Sequence, residues 1–200
     1  MFYKALSLLL CIFGSGVHLH ATQPTYLEKG MPLQKYSYND YKIKLPVSWA
    51  PLPEQEIKKY RVEYRETNFK GYSACQTAYS KGFYTLNGAG HGVPALCLVH
   101  RLQWNPQQGP DSFVKLLIND LKAKGGGQFK ILKKGSTRIA SSKAKWFECT
   151  HQSYGQKFKH INYVLTKGRH LYYLNCSAPE KHFSKMKKTF KKTVKSFGIK

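Results

Sequence analysis

The sequence predicts an α+β fold, an antiparallel sheet sandwiched by helices. Three observations carry the prediction. Strand-like segments succeed one another from residue 128 to residue 176 with no helix between them. A helix opening at Pro110-Asp111-Ser112 precedes this run, and a strongly amphipathic helix follows it to the C-terminus. A doubly wound parallel sheet would instead alternate strands with helices along the chain.

The first 21 residues read as a secretory signal peptide. Lys4 supplies the positive start, Ala5 to Leu19 is mostly apolar, and His20-Ala21 offers a small residue before a cut. The stretch is too short to span a bilayer, and Gly14 and Gly16 interrupt it. Cys11 follows Leu10 where a lipidation site wants a small residue. Residues 22–38 form a polar, tyrosine-bearing arm, and 39–200 a single domain with enough chain to bury a core.

Within the domain, Tyr41-Lys42-Ile43-Lys44-Leu45 alternates apolar and basic residues, the signature of a half-buried strand, and Pro46 stops it. Trp49 follows, then a turn at Pro51 and Pro53. Residues 54–66 fit helical spacing through Ile57, Tyr60 and Tyr64, and strand spacing through Tyr60, Val62 and Tyr64. Strand character returns near Gly82 to Leu86. Gly88 to Gly92 is a glycine-rich loop that leads into a strand, not a helix, so it does not cradle phosphate. Residues 95–104 make a long strand. The helix after Pro110 has Asp111 as its N-cap and a buried stripe of Phe113, Leu116, Leu117 and Leu121, and Gly125-Gly126-Gly127 ends it. Strands follow at 128–133, 136–140, 144–152, 157–166 and 169–176. Tyr154-Gly155 and Lys167-Gly168 supply the two tight turns of a meander. Ser177 and Glu180 have the spacing of a capping box for the last helix.

That helix is a lysine rod. Phe183, Met186, Phe190, Val194 and Phe197 recur at steps of 3, 4, 4 and 3 and form one stripe. At about 100° per residue, Lys181, Lys185, Lys188, Lys192 and Lys195 fall on the opposite face. No residue from 181 to 200 is acidic. The formal net charge of the chain is +23, unevenly spread: residues 71–200 hold twenty-three basic and four acidic residues. A field of this strength favours polyanions such as acidic lipid head groups, lipopolysaccharide or nucleic acid. Lys130, Lys133 and Lys134 extend the expected anion-binding patch.

Four cysteines follow the signal segment: Cys75, Cys97, Cys149 and Cys176. An even count in an exported chain implies two disulfides, with three connectivities open. The strand assignment puts Cys149 and Cys176 on the first and third strands of the meander, roughly 10 Å apart and beyond disulfide reach. A bridge within the 75–97 region is the leading expectation. No CxxC, HxH or HExxH pattern exists and acids are scarce, so neither a metal site nor a cofactor is expected. Paired carboxylates and a GxSxG serine are likewise not indicated. Six histidines remain, and His151 and His160 lie on successive strands across the Tyr154-Gly155 turn. Two histidines and a lysine suffice for phosphodiester cleavage, so this pair is the candidate catalytic set of a ribonuclease-like hydrolase. Tyr163, Tyr172 and Tyr173 are read as packing residues before base-stacking ones.

The order of segments resembles the PsbP-like family. The residues that carry the likeness are Tyr41-Lys42-Ile43-Lys44-Leu45-Pro46 leading to Trp49, a long strand before a mid-chain helix, and a meander closed by a helix ending in Val194-Lys195-Ser196-Phe197. The resemblance covers about residues 38–197. It implies an α/β/α sandwich shared by a photosystem II extrinsic protein, a nuclear-transport factor and small exported bacterial proteins. It also implies a non-enzymatic binding or accessory role, and it assigns no site residue. The cysteines and the extreme basicity depart from the pattern. The functional expectation is an exported, periplasmic or secreted binding protein that meets an anionic surface, an anionic polymer or an envelope protein complex. The alternative is the basic hydrolase. An accessory subunit would add an exposed apolar patch beside the basic one.

Overall fold

The computed structural model describes residues 32–53, 55, 77–85, 95–104, 107–125, 128–153 and 155–200. The signal segment, Cys75, His91, the Gly88 to Gly92 loop and nearly all of the undecided stretch 54–66 lie outside them. Two sheets form. The smaller contains β1 (Leu33–Ser37), β2 (Tyr41–Pro46) and β10 (Gly198–Ile199), in the order β1-β2-β10. The larger has seven strands in the order β3-β4-β5-β9-β8-β7-β6: β3 (Trp49–Pro51), β4 (Thr77–Thr85), β5 (Leu96–Gln103), β6 (Lys130–Ile139), β7 (Ser142–Ser153), β8 (Gln156–Lys167) and β9 (His170–Pro179). Every neighbouring pair is antiparallel. Helix α1 (Pro110–Gly125) covers one face of the large sheet, and α2 (Glu180–Lys195) with the small sheet covers the other.

The expected alternation in β2 holds. Tyr41, Ile43 and Leu45 are buried and Lys42 and Lys44 exposed. The α2 stripe is buried at Phe183, Met186, Phe190 and Val194; the helix ends at Lys195, short of the C-terminus, and Phe197 is buried just past its end, before β10. Trp49 meets Phe190 edge-on with ring centroids 6.1 Å apart, and Phe197 packs between Tyr41 at 5.2 Å and Tyr172 at 5.5 Å. Ser196 closes the joint: its Oγ accepts from the Lys44 amide at 2.8 Å and donates to the Thr193 carbonyl at 2.6 Å. The early strand and the terminal Ser-Phe are therefore two sides of one contact.

Several boundaries differ from expectation. Residues 33–37 of the arm are a strand, with Leu33 opposite Pro46 and Ser37 opposite Lys42. Four of its five residues are exposed, so it lacks the apolar alternation that marks a strand in sequence. Residues 130–139 form one strand, not two, with a register shift between Ile131 and Lys133. It turns into β7 through Ala140 and Ser141, both at positive φ (50° and 64°). The capping box does not form. Ser177 lies inside β9 opposite Leu96 and His160, and Pro179 precedes the helix with no side-chain cap. The ladder hydrogen bonds of β9 hold Ser177 extended. Glu180 instead pairs with Lys157 at 2.9 Å and sits in the first turn, where the helix dipole favours an acid. In α1 the buried side is Phe113 and Leu117 with Val114, Ile118 and Leu121 against the core, and Asp111 pairs with Lys145 at 3.1 Å instead of capping.

Candidate functional site

The stripe of α2 fixes the helix against the sheet, which turns its other side outward. Lys181, Lys185, Lys188, Lys192 and Lys195 are all exposed, as is Lys191. Two further lysines were not singled out by sequence. At about 100° per residue, Lys187 and Lys191 flank the lysine row on the side facing the sheet edge. Lys187 reaches the carboxylate of Glu148 at 2.5 Å, and Lys159 approaches the other oxygen at 4.0 Å. Glu148 is 3% exposed, so this is a buried acid held by two cations.

Between the C-terminal half of α2 and the edge strand β6 runs an open groove of about 260 Å³. Lys191 and Lys195 stand on its helix side, residues 136–139 on its strand side, and Trp146, Glu148 and Tyr163 line it between them. Lys130, Lys133 and Lys134 are exposed on β6. Cross-strand partners share a face, so Lys130 (opposite Thr150) and Lys133 (opposite Glu148) lie on the α2 side. Lys134 pairs with Phe147, an α1-side residue, and is not brought to the α2 face. Beside these lysines Leu132 is the one exposed large apolar residue among those described, the others being Leu33 and Val47 at the β1–β2 end. An extended apolar patch next to the basic face is therefore not seen among the described residues.

The histidine pair occupies the opposite, α1 side of the sheet. His151 faces Phe158 and His160 faces Cys149, which makes the two histidines diagonal neighbours. Their rings touch, His160 Nε2 to His151 Nδ1 at 2.8 Å. Asn175 Nδ2 donates to His160 Nδ1 at 3.3 Å and to Asn162 Oδ1 at 2.6 Å, and the Tyr173 hydroxyl donates to the same Asn162 oxygen at 2.8 Å. With Nδ1 of each ring accepting, the neutral tautomers carry their protons on Nε2. Burial lowers His151 to about 4; burial first, and then the neighbouring His151, lowers His160 to about 3. Both are neutral at pH 7, so the pair holds a base but no protonated acid. With one ring nitrogen of each spent on the other, no phosphate fits between them. His100, on the same face and stacked on Tyr173, is lowered to about 3 by burial. The arrangement is a packed polar network. The described residues contain no group of three histidine, cysteine or acidic side chains able to hold a metal. Tyr163, Tyr172 and Tyr173 are 6%, 1% and 3% exposed, which leaves no ring face for a base.

The described cysteines, Cys97, Cys149 and Cys176, are thiols in the structure. Cys149 lies in the α1-side core near Asn162 Nδ2, its thiol pushed up to about 12 by burial against the opposing effect of that hydrogen bond. Cys97 and Cys176 lie in the α2-side core, directly opposite on β5 and β9. Cys149 and Cys176 are thus on opposite faces as well as two strands apart.

Residues 105–199 match the family model described as PsbP. No curated protein matches the sequence. Among solved structures, the fold is similar to LpqN of Mycobacterium tuberculosis, a protein described as involved in cell envelope biogenesis (TM-score 0.59, 11% identity, covering 84% of this chain and 90% of that one). It is similar to the cyanobacterial PsbP, CyanoP, of Synechocystis sp. PCC 6803 (TM-score 0.57, 13% identity, 86% and 95%). It is also similar to PA94 of Pseudomonas aeruginosa, a protein of unknown function described as a putative regulator (TM-score 0.51, 10% identity, 82% and 94%). No helix among the described residues is long and apolar enough to cross a membrane.

Proposed function

We propose, on the premise that this chain is a PsbP-like protein, that it is an exported, non-enzymatic accessory protein whose basic α2 face binds an anionic envelope surface or polymer. The observation that carries the reading is the state of α2. Its apolar stripe already secures the fold, yet its exposed side gathers lysines at i, i+3 and i+4 spacing (181/185, 185/188, 188/192, 192/195), with no acid after Glu180. Like charges at these spacings each destabilise a helix by about 0.2–0.5 kcal/mol. The row therefore works against stability, and a polyanion reverses the sign of that repulsion. The acids Asp111, Glu148 and Glu180 pair with Lys145, Lys187 and Lys157. The signal-like N-terminus and the envelope role stated for LpqN support export.

Replacing Lys181, Lys185, Lys188, Lys192 and Lys195 with glutamine is expected to lower the salt needed to elute the protein from heparin and to weaken binding to phosphatidylglycerol vesicles at least tenfold. Unchanged retention on both would remove α2 from the site. The hydrolase reading draws only on the His151–His160 contact. It requires RNA turnover that His160→Ala abolishes; no turnover by the wild type is the result expected.

A further inference from the structure

We infer that Cys97 and Cys176 close into a disulfide that staples β5 to β9 at the centre of the large sheet. The pair is in register, Cys97 directly opposite Cys176, with the two Sγ atoms 3.6 Å apart and both residues fully buried. Directly opposed residues of an antiparallel pair have Cα atoms about 4.5–5.5 Å apart, inside the roughly 4.4–6.8 Å span of a disulfide. Small side-chain rotations then bring the sulfurs from van der Waals contact to bonding distance. The choice of partner follows from the same geometry. Cys149 is on the other face, and Cys97, once joined to Cys176, is withdrawn from any bridge to Cys75.

The closed pair is buried, so the bond forms during folding, before α2 covers β9. The oxidant is a disulfide of the thiol-exchange class. One cysteine thiolate attacks a sulfur of that disulfide and expels one thiolate, and the second cysteine thiolate then attacks the mixed disulfide and expels the other. The two protein thiols lose two protons and two electrons, and the oxidant's disulfide is reduced to two thiols. Export supplies such an oxidant in the cell, so the cellular form of the inference rests on the export reading. The geometric form does not.

The test separates the two. Reduced, unfolded protein is refolded in a glutathione redox buffer, its remaining thiols are blocked with N-ethylmaleimide in denaturant, and its peptides are mapped. A peptide pair joined through Cys97 and Cys176 is expected, both in the wild type and in a Cys75→Ser/Cys149→Ser variant. Full alkylation of Cys97 and Cys176, or Cys97 joined to Cys75, overturns the inference. The same map on protein recovered from the periplasm after expression with its own N-terminus reads export. A bridge in vitro with free thiols in the cell would refute export and keep the pairing.

Discussion

At the residue scale, Glu148 decides more than any lysine. It is the buried acid of the α2 face, and it binds Lys187 while Lys159 lies 4.0 Å away with its ammonium over the Phe183 ring. Glu148→Ala leaves Lys187 and Lys159 facing each other without a counter-charge. Lys187 and Lys159 keep about a third and a quarter of their side chains in solvent, so the loss is that of a charged hydrogen bond, about 1.5–3 kcal/mol, which chemical denaturation should show, partly recovered by adding Lys187→Met. A loss below about 1 kcal/mol would contradict the pairing. The buried histidines set the response to acid. His100, His151 and His160 have folded values below the ordinary 6.5, at about 3, 4 and 3. The unfolded chain therefore binds protons that the folded chain does not, from about pH 6.5 downwards. Stability is full above pH 6.5 and falls as pH drops towards 4, by up to about 1.4 kcal/mol per pH unit for each histidine. In NMR titrations the ring protons of His100 and His160 should not move between pH 8 and 5; midpoints near 6.5 would contradict their burial. Glu148 and the histidine contact were hard to read in sequence for the same reason. Each depends on which strands are neighbours, and a lone acid or histidine in a strand carries no periodic signal.

At the element scale, α2 was legible because its two halves have different chemistry at one period, and the stripe from Phe183 to Val194 was placed residue by residue, whereas the helix stops at Lys195 and Phe197 is buried just beyond it. Its start was not legible. Ser177-Ala178-Pro179-Glu180 has cap spacing, but β8 and β5 flank β9 on both sides and keep Ser177 in the ladder. The five-glutamine helix relieves like-charge contacts and removes no contact from the stripe. It should unfold at the same denaturant concentration as the wild type or a higher one, and a marked loss would show that the lysines serve the fold. The β6–β7 turn is a second local case. Ala140 and Ser141 occupy the left-handed region that costs L-residues about 1–2 kcal/mol each. A two-residue hairpin turn with both φ positive favours Asn-Gly. Ala140→Asn with Ser141→Gly should raise the melting temperature by several degrees, and a lower one would contradict the turn geometry. No Gly or Asn marks this turn in the sequence, whereas Gly135 does interrupt the strand before it, opposite Trp146, which is why β6 read as two short segments.

At the scale of the whole molecule, two helical layers enclose a central sheet, and two regions that carry the family resemblance, residues 41–49 and 194–197, meet across Ser196, Phe197 and Tyr41. The grouped strands made that architecture legible. Strand order was not, because the pairing of β5 with β9 joins segments 79 residues apart at the cysteines. That long-range pairing sets the size of the effect expected from the disulfide. Closing a loop of that length is worth about 4 kcal/mol through the unfolded state, so reductant should lower the unfolding midpoint of the wild type and leave a Cys97→Ser/Cys176→Ser variant unmoved. The two faces of the sandwich also divide the chemistry. The α1 side buries the histidines, whereas the α2 side presents the lysine row and the groove beside β6. The central claim is that the second face meets an anionic partner, and lysine footprinting tests it most directly. Acetylation of the folded protein is followed by mass spectrometry with and without heparin. The account predicts several-fold slower modification at Lys188, Lys191, Lys192 and Lys195, with Lys115 and Lys122 of α1 unchanged. Equal protection of both helices, or protection of α1 alone, would contradict it.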